Sequence, residues 1–430
     1  MTPVPLPHRS TGAVAALLLL LAPLVGGCRS GAAEAPPVRT GAEVLAANDF
    51  AALDGMRVGL IVNHTARIDT AHLIDRVDRA QNVSLGALFG PEHGLRGTAG
   101  AGEAVQDGRD TRTGAPVYSL YDDTLRPTPE ELADLDALVF DVQDVGARFY
   151  TYITTMGLAM QAAAEADLQF VVLDRPNPLG GSYVSGFTLE PQHQSFVGRY
   201  PIPIAHGLTV GELARLIKSE GLLPGLADLD LSVIEMAGWN REMQWPDTNR
   251  EWVPPSPNLP TWETALVYPG LCFFEGVRVN EGRGTDHPFL QIGLPWDSAA
   301  ARAVVDTLRA RDLPGVSVDT ATVTPTSRPK AAPSPRFEEE TLPGFRLRVT
   351  DRRAVRPVEL GIHALHAAYQ QAEAKNDTAF VSRPAHLTRL AGTKHLQTLL
   401  EQDASPDSII ASWQNGVTRF REQRTPYLLY

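Results

Sequence analysis

Four continuous apolar runs, set between helical patterns, most constrain what this chain can fold into. They are RVGLIVN (57–63), VSLGALFG (83–90), the stretch 137–142 within PEELADLDALVFDVQD, and QFVVLD (169–174). Runs of Val, Ile and Leu that do not alternate with polar residues read as strands buried on both faces. Around them, residues 41–52, TAHLIDRVDRA (70–80) and YTYITTMGLAMQAAAEA (150–166) carry helical spacing. Strands alternating with helices build βαβ units and hence a parallel sheet. TVGELARLIKSEG (209–221) adds a helix with a Thr N-cap and a Gly stop, and LSVIEMA (231–237) another strand. The expected fold is therefore α/β: a doubly wound parallel-sheet domain over 41–260, then a smaller α+β domain over 261–430. Between 238 and 297 the chain is Pro-rich and loop-like. Helix restarts at 296–315 and dominates the end, at 358–375, 393–403 and 405–422. The polar, Pro-rich 324–344 reads as an insertion or surface loop.

The first residues have a different purpose. His8 and Arg9 precede the apolar AVAALLLLLAPLVGG (13–27), and Cys28 follows. An h-region this short is a secretory signal rather than a membrane span. LVGGC resembles a bacterial lipobox, in which the cysteine is lipidated. Residues 1–28 are accordingly expected to be a lipoprotein signal peptide with Cys28 as the lipidated residue. RSGAAEAPPVRTG, within residues 29–41, suits a flexible tether, assigned to 29–40. The expectation is an extracytoplasmic protein held by a lipid anchor at a bacterial membrane. The one other cysteine, Cys272, lies in the apolar YPGLCFFEG, so there is neither a disulfide framework nor a CxxC metal site. A net charge of −12 without basic blocks gives nucleic acid no electrostatic footprint.

In an open parallel sheet, ligands bind outside the carboxyl ends of the strands. Here the first strand runs into Asn63, His64 and Thr65; the second into Glu92 and His93. The third contains Asp141 and runs into Gln143, Asp144, Arg148 and Tyr150; the fourth runs into Asp174, Arg175 and Asn177. Four strand ends with functional side chains indicate a site. No G-x-S-x-G elbow marks a serine nucleophile, and no G-x-G-x-x-G follows the first strand, so no nucleotide cofactor is implied. His64, His93, His206 and His287 with Asp141 and Asp174 could offer metal ligands, but without i, i+4 or H-x-H spacing. Acid–base chemistry by carboxylates remains. Glu92, just past a buried strand and beside Pro91, suits the general acid of a glycosidase.

Several segments then carry a resemblance: GLIVNHTA, LFGPEHGLRG, VFDVQDVGARFYTYITTM, VLDRPNPLGG, SFVGRYPIPIAHGLTVGEL, PSPNLP and VNEGRGTDHPFLQIGLPW. Together, from about residue 41 to the C-terminus, they are similar to the NamZ-type exo-β-N-acetylmuramidases. The resemblance implies a Rossmann-like catalytic domain, a smaller C-terminal domain and a cleft between them. It also implies release of non-reducing-terminal N-acetylmuramic acid from peptidoglycan fragments, for cell-wall turnover or recycling. The family's proposed catalytic glutamate falls on Glu92. Its other motifs fall on Gln143, Asp144, Arg148, Tyr150 and Tyr152, on Asp174, Arg175 and Asn177, and on Arg283, Gly284 and Thr285. Asp144 and His93 are the expected partners of Glu92 in catalysis. Asn63, Arg148, Tyr150, Tyr152, Asp174, Arg175, Asn177, His206, Arg283 and Thr285 are expected to bind substrate. Arg148 or Arg283 is the expected receptor for the anionic lactyl group. Asp144, Asp141, Asp174 and the substrate's own acetamido group stay open as the second catalytic group. Two other readings are a non-catalytic peptidoglycan-binding lipoprotein and a metal-dependent hydrolase.

Overall fold

The computed structural model describes residues 1–8, 37–92, 94–95, 108–121 and 124–430. Cys28 and His93 therefore lie outside the described residues. The chain divides into two units, Met1–Ala35 and Pro36–Tyr430. In the first, residues 1–8 are exposed and form neither helix nor strand. The second carries all the helices and strands of the described residues.

The apolar runs become the sheet. Its strands are β1 (Arg57–Val62), β4 (Ser84–Gly90), β5 (Gly108–Arg109), β6 (Pro116–Ser119), β7 (Ala137–Asp141), β8 (Gln169–Leu173) and β9 (Leu231–Ile234). A small hairpin, β2 (Arg67–Ile68) and β3 (Ala71–His72), follows β1. The sheet order is β5-β6-β4-β1-β7-β8-β9, parallel throughout except for the short antiparallel edge β5. Leaving β1, the chain winds one way to β4 and β6 and the other way to β7, β8 and β9, so the switch point lies between β1 and β7. Ile61, Phe89, Phe140 and Phe170 enter one core, and Leu60, Leu88, Val139 and Val171 the other. That split is why the runs are apolar without alternation.

The helices of this half are α1 (Gly41–Ala47), α2 (Leu73–Val77), α3 (Pro129–Leu132), α4 (Tyr152–Glu165) and α5 (Val210–Ser219). Thr40 and Glu43 form a capping box on α1, as do Thr209 and Glu212 on α5. Two expected helices are shorter than their patterns. The stretch 41–52 stops at Ala47 because Asp49 and Phe50 are left-handed, at φ 50° and 57°, and turn Phe50 into the core. The stretch 70–80 loses its start to the hairpin, which takes Ala71 and His72.

The second half contains α6 (Trp262–Leu271), α7 (Ser298–Ala310), α8 (Pro357–Ala374), α9 (Pro384–Ala391), α10 (His395–Glu401), α11 (Pro406–Ser412) and α12 (Gln414–Arg424). It also holds an antiparallel sheet of β10 (Gln291–Gly293), β12 (Leu342–Val349) and β11 (Val316–Val323), in that order. The Pro-rich segment before β12 is more than a surface insertion. Arg336 turns inward and donates to the backbone carbonyls of Val277 and Glu275, and Asn280 Nδ2 donates to the Arg336 carbonyl at 3.0 Å.

Helices α6 and α8 cross backbone to backbone at Gly270 and Gly361. A Cβ on Gly361 would run into the carbonyl and Cα of Gly270, and one on Gly270 into the Pro357 carbonyl. No side chain can rotate away to relieve either clash. Gly361→Ala should therefore lower stability by about 1–3 kcal/mol, the usual cost of overpacking. Chemical denaturation reads this directly, and an unchanged midpoint would contradict the close approach.

Candidate functional site

Strand β4 ends at Gly90, and two residues later Glu92 faces a cleft of about 200 Å³. Its Oε2 accepts a hydrogen bond from Thr151 Oγ1 at 2.9 Å. Tyr150 and Thr151 line the same wall, ahead of α4. The Tyr150 ring packs edge-on against Tyr152 and Tyr268, with centroids 4.9 and 6.0 Å apart. Its hydroxyl is buried and has no partner among the described residues. Burial first, then Tyr152, Tyr268, Glu92 and Asp144, push its pKa well above the usual value. Tyr150 therefore keeps its proton and can donate it in a hydrogen bond to a ligand. Tyr121 and Phe196, with ring centroids 6.2 Å apart, add aromatic surface to the cleft.

The facing wall comes from the second half. Arg283 sits between Gly282 and Gly284, at φ 81° and 82°. A Cβ on Gly282 would meet the His287 and Gln291 carbonyls at 2.6 and 2.7 Å, so this turn requires glycine. Arg283 Nη2 donates to Glu275 Oε1 at 2.6 Å, and its Nε lies 3.3 Å from Glu281. The guanidinium rests 5.2 Å from the centroid of Phe289. Phe289 itself is left-handed at φ 60° and fully buried, a strained residue held at the cleft. His386 on α9 reaches Glu275 Oε2 at 3.2 Å. Burial works against the Glu275 charge, but Arg283 and His386 outweigh it and hold the carboxyl below its usual range. The result is a planar cation, fixed by carboxylates and partly exposed to the cleft, that can bind an anion.

Most other expected site residues are committed to the fold. Asn63 Oδ1 accepts from Thr65 Oγ1 at 2.6 Å, and its Nδ2 donates to Tyr152 Oη at 3.1 Å. Tyr152 Oη donates to the Pro255 carbonyl at 2.9 Å, with the Glu92 carbonyl 3.3 Å away. Asn63 and Tyr152 thus pin the strand ends and the 254–258 segment rather than bind substrate. Arg148 is fully buried and donates to the carbonyls of Phe187, Ile202 and Leu390, so it cannot receive a lactyl group. Asp174 is buried and accepts from Gly211 N, Thr209 Oγ1 and Tyr430 Oη, and Asn177 bridges Leu179 N and the Leu208 carbonyl. Arg175 lies against Asp141 at 2.5 Å beneath the strand ends, in a second cavity. Thr285 closes its own turn on the Gly282 carbonyl. None of these residues lines the cleft.

Asp144 and His206 form a buried pair behind it. Asp144 Oδ2 accepts from Gly146 N at 2.6 Å and lies 3.8 Å from His206 Nε2. Burial raises Asp144 to about 7. His206 Nδ1 accepts from Leu208 N, which leaves its proton on Nε2, toward Asp144. Burial, Arg424 and Arg148 lower His206 to about 3, so the ring stays neutral. Asp144 is not among the residues that line the cleft but lies behind it. The histidines weighed as metal ligands are engaged separately: His64 with the Pro254 carbonyl, His206 with Leu208, and His287 near Arg346.

Sequence reasoning missed Glu275, His386, Tyr268 and Phe289. Glu275 lies in CFFEG, read only for its buried cysteine, and its eight-residue separation from Arg283 carries no recognisable signal. His386 is 111 residues from the carboxylate it contacts.

The comparisons with known proteins cover nearly the whole unit. The descriptions "Exo-beta-N-acetylmuramidase NamZ, N-terminal" and "Exo-beta-N-acetylmuramidase NamZ, C-terminal" match residues 58–263 and 266–430. The peptidoglycan beta-N-acetylmuramidase NamZ of Bacillus subtilis (strain 168) is 42% identical over 403 residues, covering 93% of this chain and 92% of that protein. Two crystal structures of DUF1343 family proteins from Bacteroides fragilis NCTC 9343 share the fold. The one at 1.65 Å has a TM-score of 0.83 at 35% identity, covering 92% of this chain and 99% of its own. The one at 1.30 Å has a TM-score of 0.72 at 33% identity, covering 91% and 99%.

The buried Asp144 gives stability a definite pH dependence. Unfolded, its carboxyl ionises near 3.9, so between about pH 4 and 7 the folded state holds a proton that the unfolded state has lost. The stability it contributes is full below that window and declines as pH rises through 7. Asp144→Asn removes the titration while keeping an acceptor for Gly146 N. The stability of the variant relative to the parent should rise across this window by up to about 1.4 kcal/mol per pH unit. A difference that stays flat with pH would refute the assignment.

Proposed function

Since this chain belongs to the NamZ family of exo-β-N-acetylmuramidases, we propose that its cleft divides the work between an acid on one wall and an anion receptor on the other. The protein is a glycosidase of peptidoglycan, releasing N-acetylmuramic acid from glycan ends. Glu92 is the general acid that protonates the leaving oxygen. The observation that carries this role is its place at the end of β4, facing the cleft with one oxygen held by Thr151. Arg283, fixed by Glu275 and Glu281, takes the lactyl carboxylate, and Tyr150 donates to the sugar.

Exo-action needs one closed end. The segment 254–258 supplies it: Ser256 and Asn258 line the cleft, and the segment is tied down at three points. His64 Nε2 meets the Pro254 carbonyl at 2.7 Å, Tyr152 the Pro255 carbonyl, and Asn258 Nδ2 the Ala331 carbonyl at 2.6 Å. Release of muramic acid from wall fragments then serves turnover or recycling.

The two walls should respond differently to substitution. On a MurNAc–GlcNAc disaccharide, Glu92→Gln should lower kcat by about 10²- to 10⁴-fold with little change in KM, the usual contribution of a general acid. Arg283→Gln should mainly raise KM, and its penalty should vanish on a substrate lacking the lactyl carboxylate. Wild-type kinetics for Glu92→Gln would refute its role, and an equal Arg283→Gln penalty on both substrates would refute the receptor.

We also propose that the chain is a lipoprotein anchored through Cys28 and facing the wall from outside the cytoplasm. LVGGC and the unpatterned residues 29–40 support this reading. Among the described residues no helix is long and apolar enough to cross a membrane. Cells producing the protein should incorporate labelled fatty acid into it, and Cys28→Ser should abolish both the label and membrane association. A wild-type protein without label would refute the anchor.

A further inference from the structure

Beside the cleft lies a larger groove of about 640 Å³, formed by residues 192–195 and helices α9 and α10. The two depressions share their walls. In α9, His386 and Leu390 face the cleft, while Ala385, Thr388 and Arg389 face the groove. An i, i+4 pair on one face and its neighbours on the other is what a dividing helix presents. The turn next to it behaves alike: Phe196 and Val197 line the cleft, and Gln194 and Ser195 the groove.

The groove is polar and built to last. Its near side is fastened to the helices by Glu190 N donating to the Gly392 carbonyl at 2.9 Å and by Thr393 Oγ1 donating to Glu190 at 2.7 Å. Gln192, Gln194 and Gln397 give it an amide-rich lining. The Ser195 hydroxyl is buried there with no hydrogen-bond partner among the described residues, which calls for a bound group or water. Arg389 and Lys394 are exposed in the groove and carry no ion pair among the described residues. The opposing carboxylate, Glu401, accepts from Gln397 Nε2 at 2.8 Å. In a chain of net charge −12, two unpaired cations beside the catalytic cleft select for an anion.

We infer that this groove binds the glycan continuing beyond the scissile bond, a peptide-free sugar chain whose muramic residues carry free lactyl carboxylates. The inference rests on the glycosidase reading above. An exo-enzyme with its non-reducing side closed by 254–258 must let the leaving chain out elsewhere, and the groove lies directly across the wall formed by α9 and the 194–197 turn. Amides and hydroxyls hydrogen-bond the sugar hydroxyls, and Arg389 and Lys394 meet the carboxylates. The groove has about three times the cleft's volume, room for more than one sugar.

The test compares a MurNAc–GlcNAc disaccharide with the peptide-free tetrasaccharide of the same repeat. Binding is measured by calorimetry on full-length Glu92→Gln protein, and kcat/KM on the parent. The tetrasaccharide should win by about tenfold in both, the scale of two exposed charge contacts, and the advantage should shrink as salt is raised. R389Q/K394Q should bring the two substrates level while leaving disaccharide kcat/KM unchanged. Equal binding of both lengths, or a length advantage that survives R389Q/K394Q, would overturn the groove assignment while leaving the glycosidase intact. Failure of the parent to cleave or bind either saccharide would overturn the glycosidase reading, and the groove with it.

Discussion

The cleft depends on a buried guanidinium that has no carboxylate partner among the described residues. Arg148 follows the third long strand of the parallel sheet, is wholly shielded from water, and donates to the carbonyls of Phe187, Ile202 and Leu390 at 2.6 to 2.9 Å. Burial lowers its pKa to about 9. A charge taken out of water without compensation is very costly, and hydrogen bonds to charged groups return roughly 1.5–3 kcal/mol each. The three carbonyls offset that cost only together, so all three segments must be held in one arrangement. Gly392, at φ 78°, lets the chain pass the guanidinium; a Cβ there would lie 2.6 Å from Nη2. One acceptor belongs to α9, the helix that carries His386 and Leu390 to the cleft. The spacing between the Glu92 wall and the Arg283 wall is thus set partly by a residue that touches neither ligand nor acid.

Carboxylates in and behind the cleft are sorted by their surroundings. Glu275 is buried, yet Arg283 and His386 keep it ionised. Asp144 is buried against a neutral histidine and is raised to about 7. The same side-chain chemistry yields a fixed anion in one place and a half-protonated acid in another. Glu275 can orient Arg283 because it stays charged, and Arg283 lines the cleft while held by it. Glu281 tightens the arrangement from the other side, 3.3 Å from the Arg283 Nε.

The parallel sheet was legible because both of its faces are buried, which makes its strands read as unbroken apolar runs. The antiparallel sheet was not, since β11 has one wet face and a pattern, VSVDTATV, that many loops share. Glu92 was legible for a local reason: it comes just past a strand end. Polar residues at the other strand ends looked equally functional, yet Asn63, Asp174 and Asn177 satisfy backbone donors and acceptors where strands stop. A strand end exposes such groups whether or not a ligand binds there. Of the second wall only Arg283 was singled out, through the family resemblance; Glu275 and His386 escaped because they meet it only through tertiary packing. Distance along the chain carries no trace of that meeting.

The Pro-rich segment explains why the site departs from the usual crevice of an open α/β sheet. Glu251 and Val253 line a cavity of about 230 Å³ with Thr65, Gln143 and Arg175, over the ends of β1, β7 and β8. Ser256 and Asn258, a few residues on, line the Glu92 cleft instead. The segment therefore partitions the crevice, leaving the switch-point side to the buried Arg175–Asp141 pair. Proline suits this work because it fixes φ and needs no donor of its own, while its carbonyls accept from His64 and Tyr152. The pinned segment thus forms one wall of the cleft, and α9 separates the cleft from the charged groove.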